Sequence, residues 1–146
     1  MIVSMERKYL IVNTQGAPVN VNKKFSPTFP KKVVIDGYFT WDSKVTLGKL
    51  IRKKNRRFLH PQKLVDRTPI FHAFDYIPLS DYEQKKSELT FSERIQILKS
   101  LDIWDSQVKV ADGYIILAPI QLKKGTYLIR SMNSKWGLDK QFTLRV

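Results

Sequence analysis

Three apolar runs, each containing an acidic residue, dominate the pattern of hydrophobic and polar positions along the chain. The first spans 32–42 and is interrupted by Asp36-Gly37 before it resumes as four further residues ending in Trp41. The second spans 69–78 and carries Asp75 late in the run, and the third spans 111–119 and repeats the Asp-Gly-Tyr sequence of the first. Runs of this length, rich in β-branched and aromatic residues, are typical of buried strands. We therefore expect these three runs to carry the fold.

Shorter segments predict further strands. Residues 7–13 have the composition of a strand, and residues 17–22 alternate apolar and polar as a return strand would. Strands are also predicted over 126–131 and 141–146, with Lys123-Lys-Gly125 as the turn before the former.

One segment predicts a helix. Thr90 and Glu93 have the spacing of a capping box, in which each side chain satisfies the other's free backbone amide. The apolar residues that follow recur at helical spacing through Leu101, so we predict a helix over 91–101. The polar stretch 80–88 before it predicts a loop. Strands outnumber helices without regular alternation, which predicts one α+β domain over 1–146, with largely antiparallel sheets and one or two helices.

Charge changes this picture most. The chain has 26 Lys and Arg against 13 Asp and Glu, a net charge of +13 and a pI near 10. In a domain of this size, such a charge favours a polyanionic partner, most often nucleic acid. The charge is concentrated in residues 43–68, here called the basic segment, for which periodicity leaves a short helix and an irregular loop open. A generic solubilising surface and a nuclear-localisation signal are alternative explanations.

Several kinds of chemistry are disfavoured. The absence of cysteine excludes disulfides and thiolate metal sites, and His60 and His72 are too far apart for an ordinary metal site. The first residues lack the apolar core of a signal peptide, and no apolar run approaches membrane-spanning length. We expect an intracellular protein, cytoplasmic or nuclear, or encoded by a virus or phage; it is not expected to be secreted or to bind a membrane.

Taken in order, the segments resemble the core of the covalent nucleotidyltransferases, the superfamily of ATP-dependent DNA ligases, RNA ligases and mRNA-capping guanylyltransferases. The resemblance covers nearly the whole chain. The motifs that carry it are Lys8-Tyr-Leu-Ile-Val-Asn13, Val34-Ile-Asp-Gly-Tyr-Phe39, Ile70-Phe-His-Ala-Phe-Asp-Tyr76, Ser92-Glu-Arg-Ile-Gln-Ile-Leu98, Asp112-Gly-Tyr-Ile-Ile116 and Ser134-Lys-Trp136.

The chain departs from that family at the positions that matter for catalysis. The family's nucleotide-accepting lysine lies in a Lys-x-Asp-Gly motif, which is missing here, and Lys8 is the nearest candidate. Tyr38 stands where the family has a glutamate and supplies no carboxylate to Mg²⁺. Gly137 replaces the second lysine of the last motif, and the chain given stops at Val146, before the family's OB-fold domain. The resemblance therefore implies an inactive, vestigial nucleotide cleft formed by Lys8, Asp36, Tyr38, Phe74, Asp75, Asp112, Lys135 and Trp136.

The favoured hypothesis is a catalytically silent protein that binds nucleic acid, with RNA preferred over DNA and without a metal or cofactor. The cations expected to contact phosphates are Lys44, Lys49, Arg52, Lys53, Lys54, Arg56, Arg57, Lys123, Lys124, Lys135 and Lys140. The cap-binding domain of snurportin resembles the same family and binds a methylated RNA cap. Aromatic residues available for such stacking here are Trp41, Trp104, Trp136, Tyr38 and Phe74.

Two alternatives remain open. One is a part of a ligase or capping enzyme whose catalytic lysine is supplied elsewhere. That enzyme would use Mg²⁺ and a nucleotide. Asp36, Asp75 and Asp112 would hold the Mg²⁺ if these carboxylates gather at one cleft, and roles in forming turns and ending strands are the alternative for them. The other is a scaffold subunit of a nucleoprotein, transcription or repair complex, with protein partners.

Overall fold

The computed structural model describes residues 1–13, 15–21, 23–41, 68–113, 121–137 and 142–146. Within these residues the chain forms seven strands and two helices. The strands are β1 (Ile2–Ser4), β2 (Tyr9–Ile11), β3 (Val33–Trp41), β4 (Pro69–Pro78), β5 (Val108–Val110), β6 (Thr126–Ile129) and β7 (Phe142–Arg145). The helices are α1 (Leu79–Gln84) and α2 (Phe91–Ser100).

The strands form two sheets. The larger sheet has five strands in the order β2-β1-β3-β4-β5, and β6 pairs with β7 in a separate two-stranded sheet. All pairings are antiparallel except that of β4 with β5. Parallel strands need a crossover connection, and α1 and α2 supply it between β4 and β5. These elements confirm the predicted α+β class with few helices and largely antiparallel sheets.

Helix α2 begins as its sequence predicts. The Thr90 hydroxyl accepts a hydrogen bond from the Glu93 amide at 3.3 Å, and the Glu93 carboxylate accepts one from the Thr90 amide at 3.2 Å. These two bonds satisfy amides that the first turn of a helix leaves without a partner. Leu98 is fully buried, while Ile95 and Leu101 pack against the same core, so the predicted apolar stripe faces the sheet.

A β-bulge divides strand β4 into two halves. Asp36 of β3 lies opposite Asp75, but the next residue, Gly37, lies opposite Ala73, so Phe74 has no partner across the ladder. The extra residue reverses which face of the sheet the following side chains occupy. A Cβ on Gly37 would lie 2.1 Å from the carbonyl oxygen of His72, so this close approach of two backbones requires glycine.

Two apolar cores result, one on each face of the sheet. In the first half of β4, Phe71 and Ala73 belong to the main core. In the second half, Ile77 belongs to a smaller core with Val34. The main core comprises Ile2, Phe25, Phe29, Val33, Ile35, Phe71, Ala73, Leu98 and Val108, and the smaller core Val3, Val12, Val34 and Ile77.

Two sequence predictions were wrong. The predicted return strand over 17–22 is reduced, in its described part, to a single bridge between Val12 and Pro18, because proline has no amide with which to extend a ladder. The predicted loop over 80–88 begins as helix α1, which Lys85 ends in the left-handed conformation. Residues 114–120 lie outside the described residues, and with them most of the predicted strand near 113–118. The three-residue strands β1 and β5 were not predicted, since they are too short to show periodicity.

Neither helix of the described chain is long and apolar enough to cross a bilayer.

Candidate functional site

Polar side chains continue the face of the sheet on which the smaller core lies, beyond the Val34–Ile77 pair. Directly opposite residues of an antiparallel pair share a face. Asp36 lies opposite Asp75, Tyr38 opposite His72, and Thr40 opposite Ile70. We call Asp36, Asp75, Tyr38, His72 and Thr40 the polar strip. It runs from a buried end beside the Val34–Ile77 pair to an exposed end at Thr40.

At the buried end, the Asp75 carboxylate is held by two guanidinium groups. Arg94 of α2 donates from Nε to Asp75 Oδ1 at 2.8 Å and from Nη2 to Oδ2 at 3.4 Å. Arg130, which follows directly on β6, donates from Nη1 to Asp75 Oδ2. The side-chain exposures are 0% for Asp75, 2% for Arg94 and 7% for Arg130. We call these three residues the charge cluster.

The remaining contacts of the charge cluster are also largely internal. Arg94 Nη1 donates to the carbonyl oxygens of Leu89 at 2.7 Å and of Ser134 at 3.2 Å. The guanidinium of Arg130 lies 5.1 Å from the ring centroid of Phe74 and 5.0 Å from that of Phe91. Such cation–π contacts accommodate a cation in a site with little water. The charge cluster thus connects β4, α2 and the end of β6.

Asp36 is beside this cluster without direct ion pairing to it. Burial raises the pKa of the Asp36 carboxyl above its ordinary value, and the charged amino terminus, the Gly37 amide and Arg130 offset part of that effect. The Gly37 amide donates to Asp36 Oδ1 at 2.9 Å. The amino terminus donates to the Val12 carbonyl at 3.1 Å, and burial lowers the pKa of this amine.

At the exposed end, Tyr38 and His72 stack on each other. Their ring centroids are 4.8 Å apart and the rings are nearly parallel, at 9°. Thr40 Oγ1 lies 2.7 Å from His72 Nε2. Burial, followed by the nearby charge of Lys109, lowers the pKa of His72, while Asp112 acts in the opposite direction. The imidazole is therefore neutral near pH 7, and the stacked pair carries no charge of its own.

The structure brings together part of the predicted vestigial cleft. Asp36, Tyr38, Phe74 and Asp75 are neighbours on β3 and β4. Of the three acids predicted to gather, Asp36 and Asp75 are paired, whereas Asp112 is exposed and its charge acts on His72. No group of three or more metal-binding side chains occurs within the part of the chain that the structure describes. Asp75 is held by Arg94 and Arg130, whereas Asp36 accepts a hydrogen bond from the Gly37 amide.

The structure also shows the surroundings of Lys8 and of the last motif. Lys8 is exposed in the turn between β1 and β2, where its carbonyl accepts from the Met5 amide at 2.8 Å. Lys135 lies 3.2 Å from the Glu88 carboxylate. Trp136 packs against the smaller core and lies 5.8 Å from the Tyr82 ring. These contacts give Lys135 and Trp136 structural roles.

Gly137, which stands in place of the expected second lysine, has a backbone reason for being glycine. Its φ is +81°, and a Cβ there would lie 2.1 Å from the carbonyl oxygen of Lys85. A lysine does not fit this position without moving the backbone.

The other predicted residues divide by exposure. Lys123 and Lys124 are exposed before β6, and Trp41 is exposed at the end of β3. Trp104 is partly buried and packs against the main core. Lys44, Lys49, Arg52, Lys53, Lys54, Arg56, Arg57 and Lys140 lie outside the described residues.

The roles of Arg94 and Arg130 were not predicted. A signal for Arg94 was present in the sequence, because this residue lies on the apolar stripe of α2, three residues after Phe91 and four before Leu98. An arginine on a buried helix face requires an acidic partner, and Asp75 within an apolar strand is the complementary signal. Arg130 gave no comparable signal, since it follows a short strand that is exposed on both faces.

Comparisons with known proteins give no relative: no family model, no curated protein and no solved structure matches this chain.

Proposed function

We propose that this protein binds nucleic acid, with RNA favoured, through a basic surface, and that it has no nucleotidyl-transfer activity of its own. The observation that carries the proposal is the concentration of charge in the basic segment. Residues 43–68 contain nine Lys or Arg and one Asp, a net charge of +8 out of +13 for the whole chain. Charge concentrated in this way neutralises successive phosphates and releases their counterions, which is the main source of affinity for nucleic acids.

The position of the basic segment supports this proposal. It begins two residues after Trp41, the last residue of β3, and ends where β4 begins. The residues that flank the segment, Trp41 and Pro69, pair with each other across the antiparallel ladder. The exposed end of the polar strip lies on the same two strands. A polyanion bound by the basic segment would be near this end.

The absence of catalysis is proposed from the residues at the vestigial cleft. A lysine nucleophile needs a desolvated setting, and Lys8 is exposed in a turn. Asp75 is neutralised by two arginines. Incubation with labelled ATP or GTP and Mg²⁺, followed by a denaturing gel, is expected to give no covalent adduct. An adduct that disappears in Lys8→Ala would refute this part of the proposal.

The binding proposal is tested by charge reversal. A variant with Arg52, Lys53, Arg56 and Arg57 changed to Glu has a net charge of +5. The matched control reverses Lys23, Lys31, Lys85 and Lys86, which are exposed elsewhere, and has the same net charge. Affinity for single-stranded RNA, duplex RNA and duplex DNA is measured by fluorescence anisotropy over a salt series.

The expected result is binding by the unchanged protein that weakens steeply with salt, with a slope of roughly 0.7 to 0.9 per phosphate contacted. The variant in the basic segment should lose this binding and its salt dependence, and the control should keep most of both. Equal losses in the two variants would show that net charge alone is responsible. Weak binding of all three nucleic acids by the unchanged protein would refute the proposal.

A further inference from the structure

The Tyr38–His72 stack has the geometry of a surface that receives a planar ligand. One face of the Tyr38 ring lies against the His72 imidazole, with the rings nearly parallel at 9°. Tyr38 is nonetheless 49% exposed, an unusual value for an aromatic residue in the central part of a strand. The partly buried Phe39 and the buried Phe71, on the opposite face of the sheet, supply aromatic packing of the main core.

The second face of the Tyr38 ring has no strand beside it in the described chain. Strand β1 pairs with β3 only at Val33–Ile35, so the half of β3 that follows Ile35 has its one described neighbour in β4. His72 covers the ring from the β4 side. Within the described residues, no strand covers the opposite side of the ring.

One exposed cation and one exposed acid lie beside the stack. Lys109 of β5 is exposed and lies next to His72 in the parallel ladder. Two strand spacings, roughly 10 Å, separate the backbone of Lys109 from that of Tyr38, so we do not expect this cation to contact a base stacked on the ring. Asp112 is the exposed acid acting on His72. Asp75 is compensated by Arg94 and Arg130, so it presents no free negative charge to such a ligand.

We propose that the Tyr38–His72 stack is a platform for an unpaired base of single-stranded RNA, with Lys109 contacting the phosphate backbone of the same strand. This inference rests on the proposed function and specifies its ligand. Every base has a π-face, so stacking of this kind is tolerant of sequence but requires a base that is not paired in a duplex. The platform therefore adds affinity for single strands alone, whereas the basic segment binds any phosphate backbone.

The experiment compares Tyr38→Ala with Tyr38→Phe, which keeps the ring. Leu10→Ala removes an apolar side chain that is 40% exposed on the distant edge strand β2, and it serves as the control. Affinities are measured for a mixed-sequence RNA single strand and for its duplex at fixed salt. A second single strand carries 2-aminopurine, whose fluorescence reports stacking. Circular dichroism establishes that each variant is folded.

We expect Tyr38→Ala to weaken single-strand binding by roughly 5- to 100-fold while duplex binding and the salt slope stay unchanged. Tyr38→Phe and Leu10→Ala should bind as the unchanged protein does, and 2-aminopurine quenching should be lost only in Tyr38→Ala. Lys109→Glu should weaken single-strand binding and leave the quenching in place.

Different results separate the two proposals. If the unchanged protein binds both RNAs with a steep salt slope but Tyr38→Ala matches Tyr38→Phe, the platform is wrong and the proposed function stands. If the unchanged protein binds neither RNA, both are wrong. If a free mononucleotide binds Tyr38 as tightly as the single strand, the site is a nucleotide pocket and the inference of a strand is overturned.

Discussion

Replacement of Asp75 by Asn is the most severe single change that the described contacts predict. The substitution keeps the shape of the side chain and removes its charge. Asp75 Oδ1 accepts from Arg94 and from the Tyr76 amide at 2.8 Å each, and Oδ2 accepts from Arg94 and Arg130. The amide nitrogen of Asn is a hydrogen-bond donor, and it would replace one of the two carboxylate oxygens that accept from the guanidinium groups. Two buried cations would then lack a counter-charge.

The expected loss of stability follows from this burial. All three side chains are at most 7% exposed, so water replaces little of the lost interaction. Breaking a buried ion pair by removing one partner costs about 3–5 kcal/mol. Because two buried cations would be left without a counter-charge, we expect the free energy of unfolding to fall by about 4–5 kcal/mol, the upper part of that range. Domains of this kind are stable by only about 5–15 kcal/mol, so the variant would be marginally folded.

Equilibrium unfolding in urea, followed by tryptophan fluorescence and circular dichroism, measures this loss. With a slope of about 2 kcal/mol per molar, the midpoint should fall by roughly 2 M without a change in the slope. The control is Glu6→Gln, which removes an exposed ion pair 3.6 Å from Lys32. That pair should contribute less than about 1 kcal/mol.

A loss below about 1 kcal/mol in Asp75→Asn, indistinguishable from the control, would refute the argument. A second test removes all the charges at once with Asp75→Leu, Arg94→Met and Arg130→Met. Apolar replacements of a complete buried ion network are often neutral or stabilising. The triple variant should therefore be more stable than Asp75→Asn, although it carries three changes.

Three further predictions concern local features. Gly37→Ala should cost roughly 3 kcal/mol or more in urea unfolding, because the new Cβ would lie 2.1 Å from the His72 carbonyl oxygen. Thr90→Ala should cost about 1 kcal/mol and reduce helicity, because it removes the hydroxyl of the capping box. Asp36→Asn should stabilise the protein at neutral pH. Burial raises the pKa of the Asp36 carboxyl above 3.8 in the folded state. Protonation of this carboxyl therefore favours folding at low pH, and that contribution is lost as the pH rises through the folded-state pKa. Asparagine stays neutral and avoids the cost of a buried charge at neutral pH.

Each of these predictions has a discriminating comparison. Gly113→Ala should change stability by less than about 0.5 kcal/mol, since nothing lies within 4 Å of its added Cβ. If Gly37→Ala costs no more than Gly113→Ala, the steric argument is wrong. Thr90→Ser should retain the cap, and a loss matching that of Ala would assign the effect to packing. The advantage of Asp36→Asn should vanish near about pH 3, and an advantage that is the same at all pH values would exclude titration as its cause.

The fold class and the long elements were predictable from the sequence because their signals are local. Helix α2 has a cap and an apolar stripe within eleven residues, and β4 is a long run of mostly apolar and aromatic residues. The loop predicted over 80–88 failed because α1 has only six residues, of which Leu79 and Tyr82 pack against the smaller core, and two positions are too few to show a helical period. The strands β1 and β5 are three residues each and owe their pairing to neighbours distant in sequence.

The candidate site was predictable in its parts but not in its arrangement. Asp36 and Asp75 could be singled out as acids within apolar runs, but their direct pairing depends on the register of β3 and β4. Strand β4 is the clearest case, since its burial alternates at every residue from Pro69 to Pro78. That regular alternation conceals the bulge at Phe74, across which the buried positions change from one face of the sheet to the other. No local sequence signal distinguishes this from a regular strand.

The charge cluster also has a consequence for folding kinetics. The capping box of α2 closes over three residues, whereas the contacts of the cluster close over 19, 40 and 55 residues of chain. Contacts so distant in sequence carry a larger entropic cost of loop closure than local ones, and they form after the local structure is in place. Interactions that form after the folding barrier slow unfolding more than they accelerate folding. We therefore expect the contacts of Arg94, Asp75 and Arg130 to form late in folding and to lengthen the lifetime of the native state, by delaying the separation of the two sheets that they join.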